Sequence, residues 1–198
     1  RNPDWRGRIL FALMGISAIE RGDDYRITQL EVASMVRDLN AKYGENPGDV
    51  VVWYEERLER NFSLPRRLSF FAAADILMIT ATRDGLNRFP MEFTIARNRV
   101  GQLALEKSGV NLADMKPNAP VGTGLVIISE FISSARVMRG ALTVNPWRME
   151  DIATGLTLAL NMPDKEGRDR FRRNMEFSTR LTVSMWAIQV LNDLKATQ

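Results

Sequence analysis

Apolar residues follow two rhythms along this chain, short unbroken runs and stretches with a helical repeat, and the two alternate. The runs span 8–16, 50–54, 75–80, 124–129 and 141–144. Continuous runs of that length predict strands, and those at 8–16 and 75–80 read as buried strands of a parallel sheet. Between them, Ile27, Leu30, Val32, Ala33, Val36, Leu39 and Tyr43 recur at helical spacing, and Gly44 ends the pattern. Ser63 and Pro65 mark a second helix start, with Leu68, Phe71 and Ala72 on its apolar side, and Pro90 suits the first turn of a third. A short helix follows through Arg136 to Arg139. The remainder is helical over 149–161, 164–177 and 181–194, with Pro163 separating the first two and Trp186, Val190 and Leu194 forming a stripe on the last. Residues 18–24 read as a polar loop, and 98–123, with Pro117, Pro120 and several glycines, as an irregular surface excursion. Five strands alternating with helices predict an α/β fold with a doubly wound parallel sheet, Rossmann-like, as one domain over 1–198.

Composition narrows the chemistry. The 198 residues are 45% hydrophobic and 26% charged, which is ordinary globular composition with enough length for one substantial core. A net charge of +3, spread along the chain, is too mild for a nucleic-acid partner and favours phosphorylated small ligands over cationic ones. There is no cysteine and no histidine. Disulfides, thiolate chemistry, most zinc sites and every Ser-His-Asp scheme are therefore removed. Carboxylates, basic groups and backbone dipoles remain. No apolar stretch reaches the length of a membrane span and no signal-peptide pattern is present, so a cytoplasmic protein without a membrane partner is expected. The first residues, Arg1-Asn2-Pro3-Asp4-Trp5, lack an initiator methionine, as expected of a piece of a longer chain.

The stretch with most chemical content is Arg83-Asp84-Gly85-Leu86-Asn87-Arg88-Phe89-Pro90-Met91-Glu92-Phe93. A strand precedes it, Gly85 allows a sharp turn, and Pro90 opens a helix. Strand, bend and helix in that order point backbone N–H groups at an anion outside the carboxyl end of a sheet. Glu92 falls in the first or second helical turn, able to face the same crevice, where two carboxylate oxygens match a vicinal diol. Asp84 has two readings on this spacing, a ligand contact or a cap of the helix. Other signals carry less. Gly122-Thr123-Gly124 precedes a strand, whereas phosphate loops follow one. The basic run 168–173 reads as a solvated helix face, Phe70 and Phe71 as core, and the methionines as gap-fillers.

Taken together, Asn2-Pro3-Asp4-Trp5-Arg6-Gly7, Leu39-Asn40-Ala41-Lys42-Tyr43-Gly44, Arg83 to Asn87 with Glu92-Phe93, Ser129-Glu130-Phe131 and Val144-Asn145-Pro146-Trp147 resemble the trehalose-6-phosphate synthase family of glycosyltransferases, in its own order. The resemblance implies the C-terminal, donor-binding half of a retaining GT-B enzyme. Such enzymes transfer glucose from UDP-glucose to glucose 6-phosphate with no metal or other cofactor. It implies that Asp84 binds hydroxyls of the donor glucose. It implies too that the N–H groups of Gly85, Leu86 and Asn87 approach the sugar and diphosphate, that Glu92 accepts the ribose hydroxyls and that Phe62 touches the uracil. Arg21 matches the arginine that reaches the acceptor phosphate, or is a solvated loop charge. The partners implied are a nucleotide-sugar, a sugar phosphate, a facing N-terminal Rossmann-like domain of the same chain and a fused phosphatase domain. The arginine–lysine pair that clamps the donor diphosphate in that family falls upstream of Arg1, so the isolated chain is expected to be inactive.

One departure opens alternatives. Active members commonly carry an apolar pair, a small residue and a lysine where this chain has Arg88-Phe89-Pro90-Met91. The chain then reads as half of an active synthase, as a non-catalytic relative that binds nucleotide-sugar or sugar phosphate in a regulatory or scaffolding role, or as a transferase with a changed donor or acceptor.

Overall fold

The apolar runs become five strands, and every strand pair is parallel. The structure, a computed structural model, describes residues 3–5, 7–17, 22–44, 50–57, 63–111, 121–180 and 182–196. It divides into two compact units, Arg1–Arg66 and Arg67–Gln198.

The first unit holds strand β1 (Phe11–Ser17), helix α1 (Gly22–Tyr43) and strand β2 (Val51–Arg57). β1 pairs with β2 from Phe11↔Val51 to Ser17↔Arg57. α1 starts at Gly22, inside the segment read as a polar loop. The expectation of a buried first strand fails for Phe11 and Leu13, which are exposed, because the helix of this unit packs on β2. Asn40, near the end of α1, fastens the entry to β2. Its Oδ1 accepts the Val50 and Val51 N–H groups at 3.1 and 2.9 Å, and its Nδ2 donates to the Val51 carbonyl at 2.9 Å. Three strand-end bonds depend on one amide, so Asn40→Ala is expected to cost about 1–3 kcal/mol. A lowered urea midpoint with an unchanged m-value is the readout.

The second unit contains α2 (Leu64–Ala73, which opens at the unit border), β3 (Ile76–Ile79), α3 (Phe89–Lys107) and β4 (Leu125–Ser129). It continues with β5 (Leu142–Val144), α4 (Met149–Leu160), α5 (Asp164–Arg180) and α6 (Val183–Ala196). The sheet order is β3-β4-β5. The α/β class is the one expected; the five strands pair as two and three among the described residues. β4 is central, and Val126 to Ser129 are all buried, so both of its faces are covered. On one face Ile127 packs with Val144, and Ala159, Ile152 and Leu156 of α4 close over them. Val126 and Ile128 point the other way by the pleat. β3 is only half-buried, not buried as its composition suggested.

α3 runs to Lys107, ten residues into the stretch expected to be irregular. Gly101 lies within the helix, where the returning chain touches it. A Cβ there would lie 2.6 Å from the Val121 carbonyl oxygen. Buried Asn98 holds the contact, its Oδ1 accepting Val121 and Gly122 N–H groups at 2.9 and 3.2 Å. The segment after β4 forms a short 3₁₀ turn, Ser133–Arg136, ahead of the position expected for a helix. No residue of α6 is buried, and its Trp186, Val190 and Leu194 stripe is exposed. Among the described residues no helix is long and apolar enough to cross a membrane.

Candidate functional site

The bend 83–88 lies at the carboxyl end of β3, where a parallel sheet collects the loops that bind ligands. Arg83, Asp84, Gly85 and Leu86 are exposed, yet the bend is held from behind. Asp84 forms a parallel bridge with buried Ile132. The Gly85 carbonyl accepts the Asn87 and Ser133 N–H groups at 3.0 and 3.2 Å, and the Asn87 carbonyl accepts the Ser134 hydroxyl at 2.8 Å. The motif residue Ser129 anchors the neighbouring loop, its buried Oγ accepting the Phe131 N–H at 3.2 Å.

The two readings of Asp84 separate here. Its Oδ1 accepts the Gly85 N–H at 2.7 Å and its Oδ2 accepts the Asn87 Nδ2–H at 2.9 Å. The helix-starting N–H of Phe89 goes instead to Asn87 Oδ1 at 2.9 Å. The Asn87 side chain therefore ties the bend to the first N–H of α3, one residue ahead of Arg88 at the N-cap position, and both its amide assignments follow from these partners. Asp84 is left as an exposed carboxylate whose orientation is fixed by the bend.

Gly85 does not take the left-handed backbone that makes glycine necessary in a turn. A Cβ built on it would meet nothing within 4 Å. Neither folding nor packing asks for a glycine at this point, and the open space in front of it suits a close approach of ligand to backbone. Of the three N–H groups singled out from the sequence, that of Gly85 is held by Asp84 and that of Asn87 turns to the Gly85 carbonyl. The Leu86 N–H has no protein acceptor among the described residues.

Glu92 sits in the first turn of α3, where the helix dipole favours an acid. Its carboxylate is 18% exposed and is gripped by Arg67 of α2, Nε to Oε2 at 2.6 Å and Nη2 to Oε1 at 3.0 Å. The guanidinium also lies 5.1 Å from the centre of the Phe89 ring. Arg67 and Phe89 were not singled out from the sequence. A signal existed, since an arginine in the first helical turn opposes the dipole and needs an acid nearby. Phe62 and Arg21 lie outside the described residues. No group of three or more His, Cys, Asp or Glu residues able to hold a metal occurs among the described residues.

The decisive comparison is with family models: that of glycosyltransferase family 20 matches residues 1–196. This chain belongs to glycosyltransferase family 20. Within the family it is 26% identical, over 98% of its length, to alpha,alpha-trehalose-phosphate synthase [UDP-forming] 6 of Arabidopsis thaliana. The chain spans 22% of that relative. Among solved structures it resembles an alpha,alpha-trehalose-phosphate synthase (UDP-forming) of Burkholderia xenovorans in complex with glucose-6-phosphate, at TM-score 0.73 and 22% identity, covering 98% of this chain and 37% of that one. A trehalose-6-phosphate protein from E. coli bound with UDP-2-fluoro glucose gives TM-score 0.75 at 20% identity, covering 98% and 38%. These likenesses establish the fold. The chain is thus a family 20 segment about a fifth to two-fifths as long as the proteins it matches.

Proposed function

We propose that this chain is the donor-binding half of a retaining glycosyltransferase that moves glucose from UDP-glucose to glucose 6-phosphate, giving trehalose 6-phosphate and UDP. The observation that carries the reading is the anchored bend in a family 20 chain, with Gly85 free of any conformational or packing demand. The relatives' names support the donor and acceptor, since they are UDP-forming synthases and one was solved with glucose-6-phosphate. In this reading Asp84 accepts hydroxyls of the transferred glucose, the Leu86 N–H and the start of α3 face the diphosphate, and Glu92 accepts the ribose hydroxyls. Phe62 lies against the base and Arg21 reaches the acceptor phosphate. The bond from glucose C1 to the diphosphate oxygen breaks as the bond to the acceptor oxygen forms, and the acceptor proton passes to the departing phosphate oxygen. Backbone N–H groups, the helix N-terminus and cations meet the developing charge, with no metal required. A facing Rossmann-like domain, supplied by a longer chain, brings the diphosphate clamp and most of the acceptor site. A fused phosphatase domain and a cytoplasmic setting complete the reading.

A second reading, a non-catalytic relative that binds the same ligands to regulate or to scaffold, is favoured by Arg88-Phe89-Pro90-Met91. Pro90, which is buried, and Met91, which is half-buried, stand where an active member carries the small residue and the lysine.

Titration separates ligand binding from a purely structural role. The chain is expected to bind UDP-glucose weakly, with a dissociation constant from high micromolar to millimolar (~4–6 kcal/mol), because half of the cleft is absent. Gly85→Ala is expected to leave the unfolding midpoint unchanged and to weaken UDP-glucose about tenfold, as steric intrusion on a close contact does. Equal affinity in wild type and Gly85→Ala, or no binding at millimolar ligand, would contradict the site.

A further inference from the structure

α2 and α3 begin alike. Each carries proline at its second residue, Pro65 and Pro90, and a charged residue at its fourth, Arg67 and Glu92. The charges differ in what they need. Glu92 is favoured by the positive end of its helix, whereas Arg67 is opposed by the positive end of its own. Arg67 is nonetheless 13% exposed, so it has given up much of its hydration in an unfavourable place. Its contacts include the paired bonds to Glu92 and the face of the Phe89 ring. Phe89 is itself fixed, edge-on to buried Phe71 with ring centres 5.9 Å apart. Orientation therefore passes outward from the core through Phe71, Phe89 and Arg67 to one carboxylate.

We propose that Arg67 is a positioning residue of the nucleotide site, holding the Glu92 carboxylate in the orientation that receives the two hydroxyls of the pentose. The inference rests on the reading of Glu92 given above. A carboxylate offers about four acceptor directions, two on each oxygen, and the guanidinium fork takes one on each. One acceptor direction on each oxygen remains for a hydroxyl. The fork also cancels a negative charge that would otherwise stand close to a diphosphate, which a lone carboxylate at this place would repel. A lysine would restore the charge but not the two-point geometry.

The test uses UDP and 2′-deoxy-UDP with the 198-residue chain, read by ligand-detected NMR, in wild type, Arg67→Met, Arg67→Lys and Glu92→Gln. In wild type the 2′-hydroxyl is expected to be worth about tenfold in affinity, the size of a hydrogen bond to a charged acceptor. Arg67→Met is expected to weaken UDP about tenfold more than 2′-deoxy-UDP, which keeps only its 3′-hydroxyl contact, so that the ratio collapses towards one. Arg67→Lys is expected to recover only part of the ratio. If Arg67 merely supported the fold, both ligands would weaken together and the ratio would survive; that result overturns the inference and leaves the ribose reading intact. Should Arg67→Met not fold, the lysine variant alone decides, a full wild-type ratio counting against the inference. Absence of any ratio in wild type, unaltered by Glu92→Gln, would overturn the assignment of Glu92 and this inference with it.

Discussion

Glu92→Ala is expected to remove detectable UDP binding, a loss on the order of a hundredfold if two charge-assisted hydrogen bonds at about 1.5 kcal/mol each disappear. The carboxylate is the acceptor assigned to both ribose hydroxyls, and its two oxygens are already aligned by Arg67. Alanine would leave the Arg67 guanidinium beside an empty space, with a stability cost of its own. Glu92→Gln separates the two effects. It keeps one acceptor for Arg67 and the shape of the side chain, but replaces the second acceptor with a donor. An intermediate loss of UDP affinity with an unfolding midpoint near wild type is expected for glutamine. UDP titration curves that coincide for wild type and both variants would refute the ribose assignment.

The largest expected loss of stability lies elsewhere, at Gly140. This residue sits in the turn before β5, where its N–H donates to Oδ1 of buried Asn174 on α5 at 2.8 Å. A Cβ on Gly140 would overlap the Arg170 carbonyl and come within 2.7 Å of Asn174 Oδ1. Neither atom is the loose end of a side chain. Relief requires α5 to move away from the turn, which breaks the Asn174 bond and opens the packing behind it. Gly140→Ala is therefore expected to cost about 3 kcal/mol, the upper part of the range for overpacking. That corresponds to a fall in melting temperature of roughly 10 °C for a domain of this size. A melting temperature within roughly 2 °C of wild type would show that the turn relaxes freely.

The sequence carried the strand positions, the bend and most of the helices because each follows from local periodicity. Five apolar runs became five strands, and Ser63 and Pro65 did mark the start of α2. What it did not carry depended on contacts between distant residues. The stretch from residue 98 reads as irregular, yet α3 continues through it to Lys107, and the chain returns against Gly101 at Val121 and Gly122. Asp84 had two readings in the sequence, and only its bonds to the Gly85 N–H and the Asn87 amide, with the Phe89 N–H going to Asn87 Oδ1, decide between them. Arg67 is 25 residues from Glu92 in the chain, beyond any spacing rule, so the pair emerges only when two helix starts meet.

In the proposed function, the bend 84–87 and Glu92 form one nucleotide-binding surface. Amide and arginine Nε–H chemical shifts of the isotope-labelled chain, followed during titration with UDP, test it most directly. The expected result is a set of saturating shifts at Leu86, Arg88 and Glu92 and at the Nε–H of Arg67, all with one dissociation constant. Saturating shifts confined to other parts of the chain, with these four positions unmoved, would contradict it.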